Sequence, residues 1–190
     1  MAEETNQEIS LETPVGKIST VDLVYLAGFL DGEGCFSISY HEHGNVHGLS
    51  VEQTDGRVLE WCSHTFGGNL RQKPRRVESR EQIFEWVLRR KERLIPLLTS
   101  LIPYLKVKKV PATILLEYCT RFNRSVANKI PYTEEEKEIA AKYIALIRIA
   151  NSTGSGSTLK KQKLHEAITS AQDQRPPANI TNILTAGGSK

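Results

Sequence analysis

The stretch 26-LAGFLDGEG-34 places glycines at 28, 32 and 34 and carboxylates at 31 and 33 inside a segment whose apolar spacing is helical. Each glycine in a helix interior costs about 1 kcal/mol relative to alanine. An acid near a helix C-terminus also faces the negative end of the macrodipole. Both costs are met if the helix serves a partner. Gly28-x-x-x-Gly32 sets two positions without side chains one turn apart, the spacing that lets another backbone approach closely. With Leu26, Phe29 and Leu30 around them, these glycines, together with Leu26, Ala27 and Phe29, read as a helix–helix contact with a second copy of the chain. Two such helices crossing here bring two Glu33 carboxylates together at two negative helix ends. A divalent cation relieves that repulsion, and hard oxygen donors suit Mg²⁺ or Mn²⁺.

The surrounding sequence supplies elements to position these groups. Ser19 or Thr20 can cap the helix, with Asp22 in its first turn, and Gly32 and Gly34 end it. The next run, 35-CFSISY-40, alternates and predicts a strand with Phe36, Ile38 and Tyr40 on one face and Cys35, Ser37 and Ser39 on the other. A second strand over 46–53 completes a hairpin. A helix is predicted over 57–66, then strands at 69–73 and 82–89, a helical segment over 91–105 punctuated by Pro96 and Pro103, and a helix over 107–122. Thr133 and Glu136 form a capping box for a helix over 134–150 with Ile139, Ala140, Tyr143, Ile144 and Ile147 inward. The stretch 151-NSTGSGST-158 reads as a linker, followed by a short amphipathic helix over 159–171. Trp61, Phe84 and Trp86 lie on apolar faces and read as core. The order α-β-β-α-β-β-α predicts an α+β fold with a four-stranded antiparallel sheet covered by helices on one face. Residues 1–18 read as a mobile leader, 19–171 as one domain and 172–190 as a tail.

Composition narrows the function. The 190 residues carry 25 Lys and Arg against 22 Asp and Glu, a net charge of +3 too small to decide a partner. Its distribution is more telling. Glu3, Glu4, Glu8 and Glu12 open the chain, whereas Arg71, Lys73, Arg75, Arg76 and Arg80 crowd one stretch suited to a polyanion. Cys35, Cys62 and Cys119 are odd in number and widely spaced, which predicts reduced thiols in an intracellular protein. No apolar run suits a membrane span, and the acidic N-terminus is unlike a targeting peptide.

The nine residues LAGFLDGEG, with the preceding tyrosine and the strand after them, resemble the LAGLIDADG motif of homing endonucleases, in particular the single-motif, homodimeric, intron-encoded type. The likeness extends over roughly residues 20–171 through the element order, Gln53 and Arg57 after the second strand, 103-PYLKVKK-109, and the C-terminal helices.

That resemblance implies a site-specific endonuclease making a staggered double-strand break in a long pseudo-palindromic DNA target. The alternatives are a maturase that assists RNA splicing and a DNA-binding regulator that has lost cleavage. Glu33 matches the metal-binding acid, where the family more often carries Asp, and the Gly34 carbonyl is a lesser ligand. Asp31 is implied to be structural. Gln53 matches a position that holds the water network, Arg57 and Lys108 match basic positions that polarise it, and Lys106 is assigned to the DNA backbone. The polar face of the sheet is implied to read the major groove. Its candidates are Ser37, Ser39, His41, His43, Asn45, His47, Arg71, Lys73 and Arg75, with Arg76 and Arg80 on phosphates. Loop histidines 41, 43 and 47 without a fourth ligand are not read as a zinc site. The implied partners are double-stranded DNA and a second copy of the chain. The implied setting is a chloroplast, a mitochondrion or a bacterial or archaeal cytoplasm.

Overall fold

A computed structural model of the chain describes residues 12–13, 16–40, 45–73, 82–122 and 132–152. Within the stretch read as a leader, β1 (Glu12–Thr13) and β2 (Gly16–Lys17) pair antiparallel. The remaining elements are α1 (Thr20–Glu33), β3 (Cys35–Ser39), β4 (Val46–Gln53), α2 (Arg57–Phe66), β5 (Asn69–Gln72), β6 (Phe84–Leu88), α3 (Lys91–Leu101), α4 (Lys109–Arg121) and α5 (Glu134–Ser152). The four longer strands form an antiparallel sheet in the order β3-β4-β6-β5, which confirms the predicted α+β architecture. Among the described residues, no helix is long and apolar enough to cross a membrane. The chain divides into two compact units, residues 1–35 with 48–106 and residues 36–47 with 107–190.

In the first unit, Ser19 rather than Thr20 caps α1, its hydroxyl accepting from the Asp22 N–H at 3.1 Å. Leu23, Leu26, Ala27 and Leu30 recur at helical spacing and are buried, and α1 packs against α3. Apolar side chains at i, i+3, i+4 and i+7 give a helix one core-facing stripe, which is why this sequence docks in a single orientation. Helix α2 buries Leu59, Cys62 and Phe66 against β5 and β6. Gly67 and Gly68 then turn the chain with φ of 76° and 96°. A Cβ on Gly68 would lie 2.7 Å from the Val87 carbonyl oxygen, so the turn requires glycine on two counts. The buried Trp86 indole closes this corner by donating to the Gly67 carbonyl at 2.7 Å. Pro96 lies within α3 instead of breaking it, and the helix ends at Leu101 ahead of Pro103.

In the second unit, α4 and α5 pack together, and the Asn151 side chain ties the end of α5 to the Phe36 carbonyl at 2.9 Å. The capping box forms as the sequence predicts. The Glu136 N–H donates to Thr133 Oγ1 at 3.2 Å, and the Thr133 N–H to Glu136 Oε2 at 2.9 Å. Tyr118 and Phe122 of α4 stack against Tyr143 of α5 with centroids 5.8 and 6.4 Å away. Near this aromatic cluster, both carboxylate oxygens of Glu117 are buried with no hydrogen-bond partner among the described residues. Burial pushes this carboxyl up to about 7.

Candidate functional site

The two acids of LAGFLDGEG take different places. Asp31 is half-buried and accepts the backbone N–H of Lys106 at 2.8 Å, pinning the segment after α3 to the end of α1. That is the structural role the sequence implied for it. Glu33 is the last residue of α1 and is exposed. Gly34 follows in an extended conformation, its N–H donating to the Leu30 carbonyl at 2.9 Å. A Cβ on Gly34 would lie 2.8 Å from both the Leu30 carbonyl oxygen and Leu30 Cδ2. The glycine is therefore needed for close approach to its own helix, not for a left-handed turn.

Gly28 and Gly32 differ from it. Both are exposed, and a Cβ on either would meet no atom within 4 Å. Nothing inside the protomer demands glycine at these positions. They continue an outward stripe that begins with Val21, Val24 and Tyr25, which are 77%, 50% and 57% exposed. Leu26 and Ala27 face the opposite way, into the protomer's own core, and Phe29 lies between the two faces. Of the residues read as a helix–helix contact, Gly28 and Gly32 thus remain on the open face, joined by three apolar residues that glycine spacing alone did not identify.

Gln53 closes β4, and Arg57 opens α2 after the bend at 54–56, both in the first unit with Glu33 and Gly34. The Arg57 guanidinium grips Asp55 through Nε at 3.0 Å and Nη2 at 2.5 Å, and the Arg57 N–H donates to the same carboxylate at 3.0 Å. These bonds hold the Asp55 carboxyl down to about 2. Lys108 belongs to the second unit, where its carbonyl accepts from the Ala112 N–H at 3.1 Å at the start of α4.

The strand alternation also sorts the DNA-reading candidates. In β3, Phe36 and Ile38 are buried, and Cys35, Ser37 and Ser39 lie on the outer face, as period two predicts. Ser39 Oγ donates to the Val46 carbonyl at 3.4 Å. His47 shares its face of β4 with buried Leu49 and Val51, and its ring lies 5.6 Å from that of Tyr118. His47 is therefore an inward residue and does not join the outer polar face. The outer side chains of β4 are Ser50 and Glu52, which the same alternation would have identified if phased from Leu49. Asn45 is half-buried. Asn151 and Ser152, read as the start of the linker, instead close α5. His41, His43, Arg75, Arg76 and Arg80, the rest of the linker, the 159–171 helix and the 172–190 tail lie outside the described residues.

Arg71 and Lys73 do lie on the outer face, but with acidic neighbours that the sequence reading missed. The ladder sets Glu52 opposite Glu85 and Arg71 opposite Glu85. Arg71 Nε donates to Glu85 Oε2, while Lys73 Nζ reaches Glu52 at 2.5 Å and Glu85 at 3.5 Å. Burial pushes the Glu85 carboxyl up. The bond from Arg71 and the charges of Lys73 and Arg71 outweigh that effect and hold it below the usual range. The signal was absent from local sequence because these four residues meet only through strand pairing.

Neither the protein-family models nor the curated proteins include a match to this sequence. Solved structures do match it. The homing endonuclease I-CvuI in complex with its target superposes with a TM-score of 0.55 and 21% identity over 79% of this chain and 94% of that one. The archaeal intron-encoded homing endonuclease I-Vdi141I, complexed with DNA, gives 0.51 and 20% over 78% and 93%. The LAGLIDADG meganuclease I-AabMI, bound to uncleaved DNA, gives 0.50 and 17% over 65% of this chain and 43% of that one. The helix ending in Glu33, the four-stranded sheet and the helices around them have the fold of the LAGLIDADG homing endonucleases.

Proposed function

We propose that the chain is a site-specific DNA endonuclease that acts as a homodimer and depends on a divalent metal. The observation that carries this reading is the outward stripe of α1, which is apolar, contains two glycines with no steric reason inside the protomer, and ends in an exposed carboxylate. Two glycines cost the helix about 2 kcal/mol together, a cost offset where a second backbone packs against them. A two-fold crossing of α1 on its twin buries Val21, Val24 and Tyr25 and brings both Glu33 side chains to one place.

Glu33 and the Gly34 carbonyl are hard oxygen donors, so the residues present fit Mg²⁺ or Mn²⁺ shared with the twin. When bound, such ions lower the pKa of water and offset charge on the scissile phosphate. The resemblance assigns the other residues their roles. Gln53 holds water through its amide, and Lys108 offsets charge that develops on the phosphate. Arg57 does the same by exchanging Asp55 for a phosphate oxygen. Ser37, Ser39, Ser50, Arg71 and Lys73 supply donors to base edges and backbone. The DNA-bound state of I-CvuI and I-Vdi141I supports DNA as the partner. One active acid per protomer implies two cuts, offset across a pseudo-palindromic site.

The test is incubation of the purified protein with Mg²⁺ and its intron-less host locus, beside Glu33→Gln. Cleavage by the wild type, with loss of at least about a thousandfold in the variant at unchanged thermal stability, is expected. Equal cutting by both proteins rejects Glu33. No cutting by the wild type, with intron splicing dependent on the protein, replaces this reading with that of a maturase.

A further inference from the structure

Glu85 is the most enclosed ionised side chain described on the outer sheet face. Its side chain is 9% exposed, whereas that of its partner Arg71 is 57% exposed. The acid is thus the fixed end of the pair and the guanidinium the presented end. Arg71 engages Glu85 through Nε, which leaves its two terminal nitrogens outside that bond. Lys73 bridges Glu85 and Glu52, and the four charges sum to zero. Glu52 and Glu85 are directly opposed in the ladder, an arrangement that is destabilising for like charges unless cations lie between them. The four side chains therefore stand or fall as one unit.

We infer that Glu85 is a specificity-determining positioning residue, orienting Arg71 and Lys73 toward guanine edges in the major groove and withholding them from indiscriminate phosphate contacts. The inference rests on the DNA-binding reading above. A guanine presents O6 and N7 as two acceptors side by side, and an arginine reads them through two donors held in one plane. Holding the guanidinium by Nε removes much of the freedom that a long side chain otherwise loses on binding. A phosphate has no such directional requirement. Phosphate attraction depends chiefly on net positive charge, which Glu85 and Glu52 cancel. Contacts to arbitrary DNA are therefore weakened more than the guanine contact, which needs aimed donors and forms with Glu85 still bound.

The experiment selects binders from a pool of randomised duplexes with the full-length wild type, Glu85→Gln and Glu52→Gln. It then measures the salt dependence of each protein on one fixed duplex unrelated to the selected sequences. In Glu85→Gln, preference at the guanine-constrained positions is expected to fall roughly tenfold. Affinity for the unrelated duplex is expected to rise, with a log–log salt slope steeper by about one per freed cation. Glu52→Gln changes an exposed side chain, tolerates folding, and should move both readouts the same way by a smaller amount through Lys73. Identical base preferences and slopes in all three proteins overturn the inference while leaving DNA binding intact. A wild type that enriches no sequence overturns the DNA-binding reading instead, and this inference with it.

Discussion

Glu117 and Glu85 show how surroundings set the behaviour of a single residue type. Glu85 is enclosed beside two cations and stays ionised, whereas both Glu117 oxygens are buried with no hydrogen-bond partner among the described residues. Burial alone raises the Glu117 carboxyl, and burial together with the Glu117 charge pushes the nearby Tyr143 hydroxyl up. An acid whose folded pKa of about 7 lies above its ordinary 4.5 binds more protons folded than unfolded between those values. Stability should then be greatest below pH 4.5 as far as this group is concerned, and should decline as pH rises toward 7. Urea unfolding at pH 5 and pH 8 should differ by up to about 2 kcal/mol from this source, and Glu117→Gln should flatten the slope. An unchanged slope in the variant would assign the pH dependence elsewhere. At this scale the sequence was informative for Asp31, whose structural place at the helix end it implied, and for Gly34, just past the end of α1. It failed for His47, whose face depends on the phase of β4, and for Glu85, whose partners lie on another strand.

Helix α1 carries two stripes on one cylinder: one is buried, and the other is exposed apart from the edge contact of the Tyr25 ring with Trp61 at 5.1 Å. Leu23, Leu26, Ala27 and Leu30 fix it to the core, while Val21, Val24, Tyr25, Gly28 and Gly32 remain outside. Gly28→Ala should therefore raise protomer stability by about 1 kcal/mol, because helix propensity improves and no atom is struck. The same methyl should weaken self-association roughly tenfold or more, since it holds two backbones apart. Sedimentation equilibrium beside thermal unfolding measures both, and stronger protomers with unaltered association would remove the glycines from the contact. Helices were readable from sequence because caps and 3.6-residue spacing are local, as at Ser19, Thr133 and Glu136. The end of the segment expected to run over 91–105 was less readable. Pro96 is accommodated within α3, and the end at Leu101 depends on the turn that follows.

For the whole molecule, the element order was legible and the strand order only partly so. Hairpin logic predicts β3 beside β4, but the place of β6 between β4 and β5 depends on α2, packed on β5 and β6, carrying the chain from β4 past one strand position. No short-range pattern encodes that crossing. If each cut draws one Glu33 from each protomer, activity should depend on assembly. Diluting the enzyme below its dimer dissociation constant should make the cleavage rate fall with the square of chain concentration. A linear fall over that range would mean that one chain suffices.

The clamp between Asp31 and the Lys106 backbone gives this architecture an uneven tolerance to mutation. One acid of the motif secures the chain, and its neighbour two residues on faces solvent, its side chain making no hydrogen bond or ion pair among the described residues. A lineage can therefore shed Glu33 without disturbing the helix, its outward stripe or the sheet, but cannot shed Asp31 on the same terms. Decay of such a gene is expected to pass first through folded, silent DNA binders, which leaves intact scaffolds open to recruitment for other tasks.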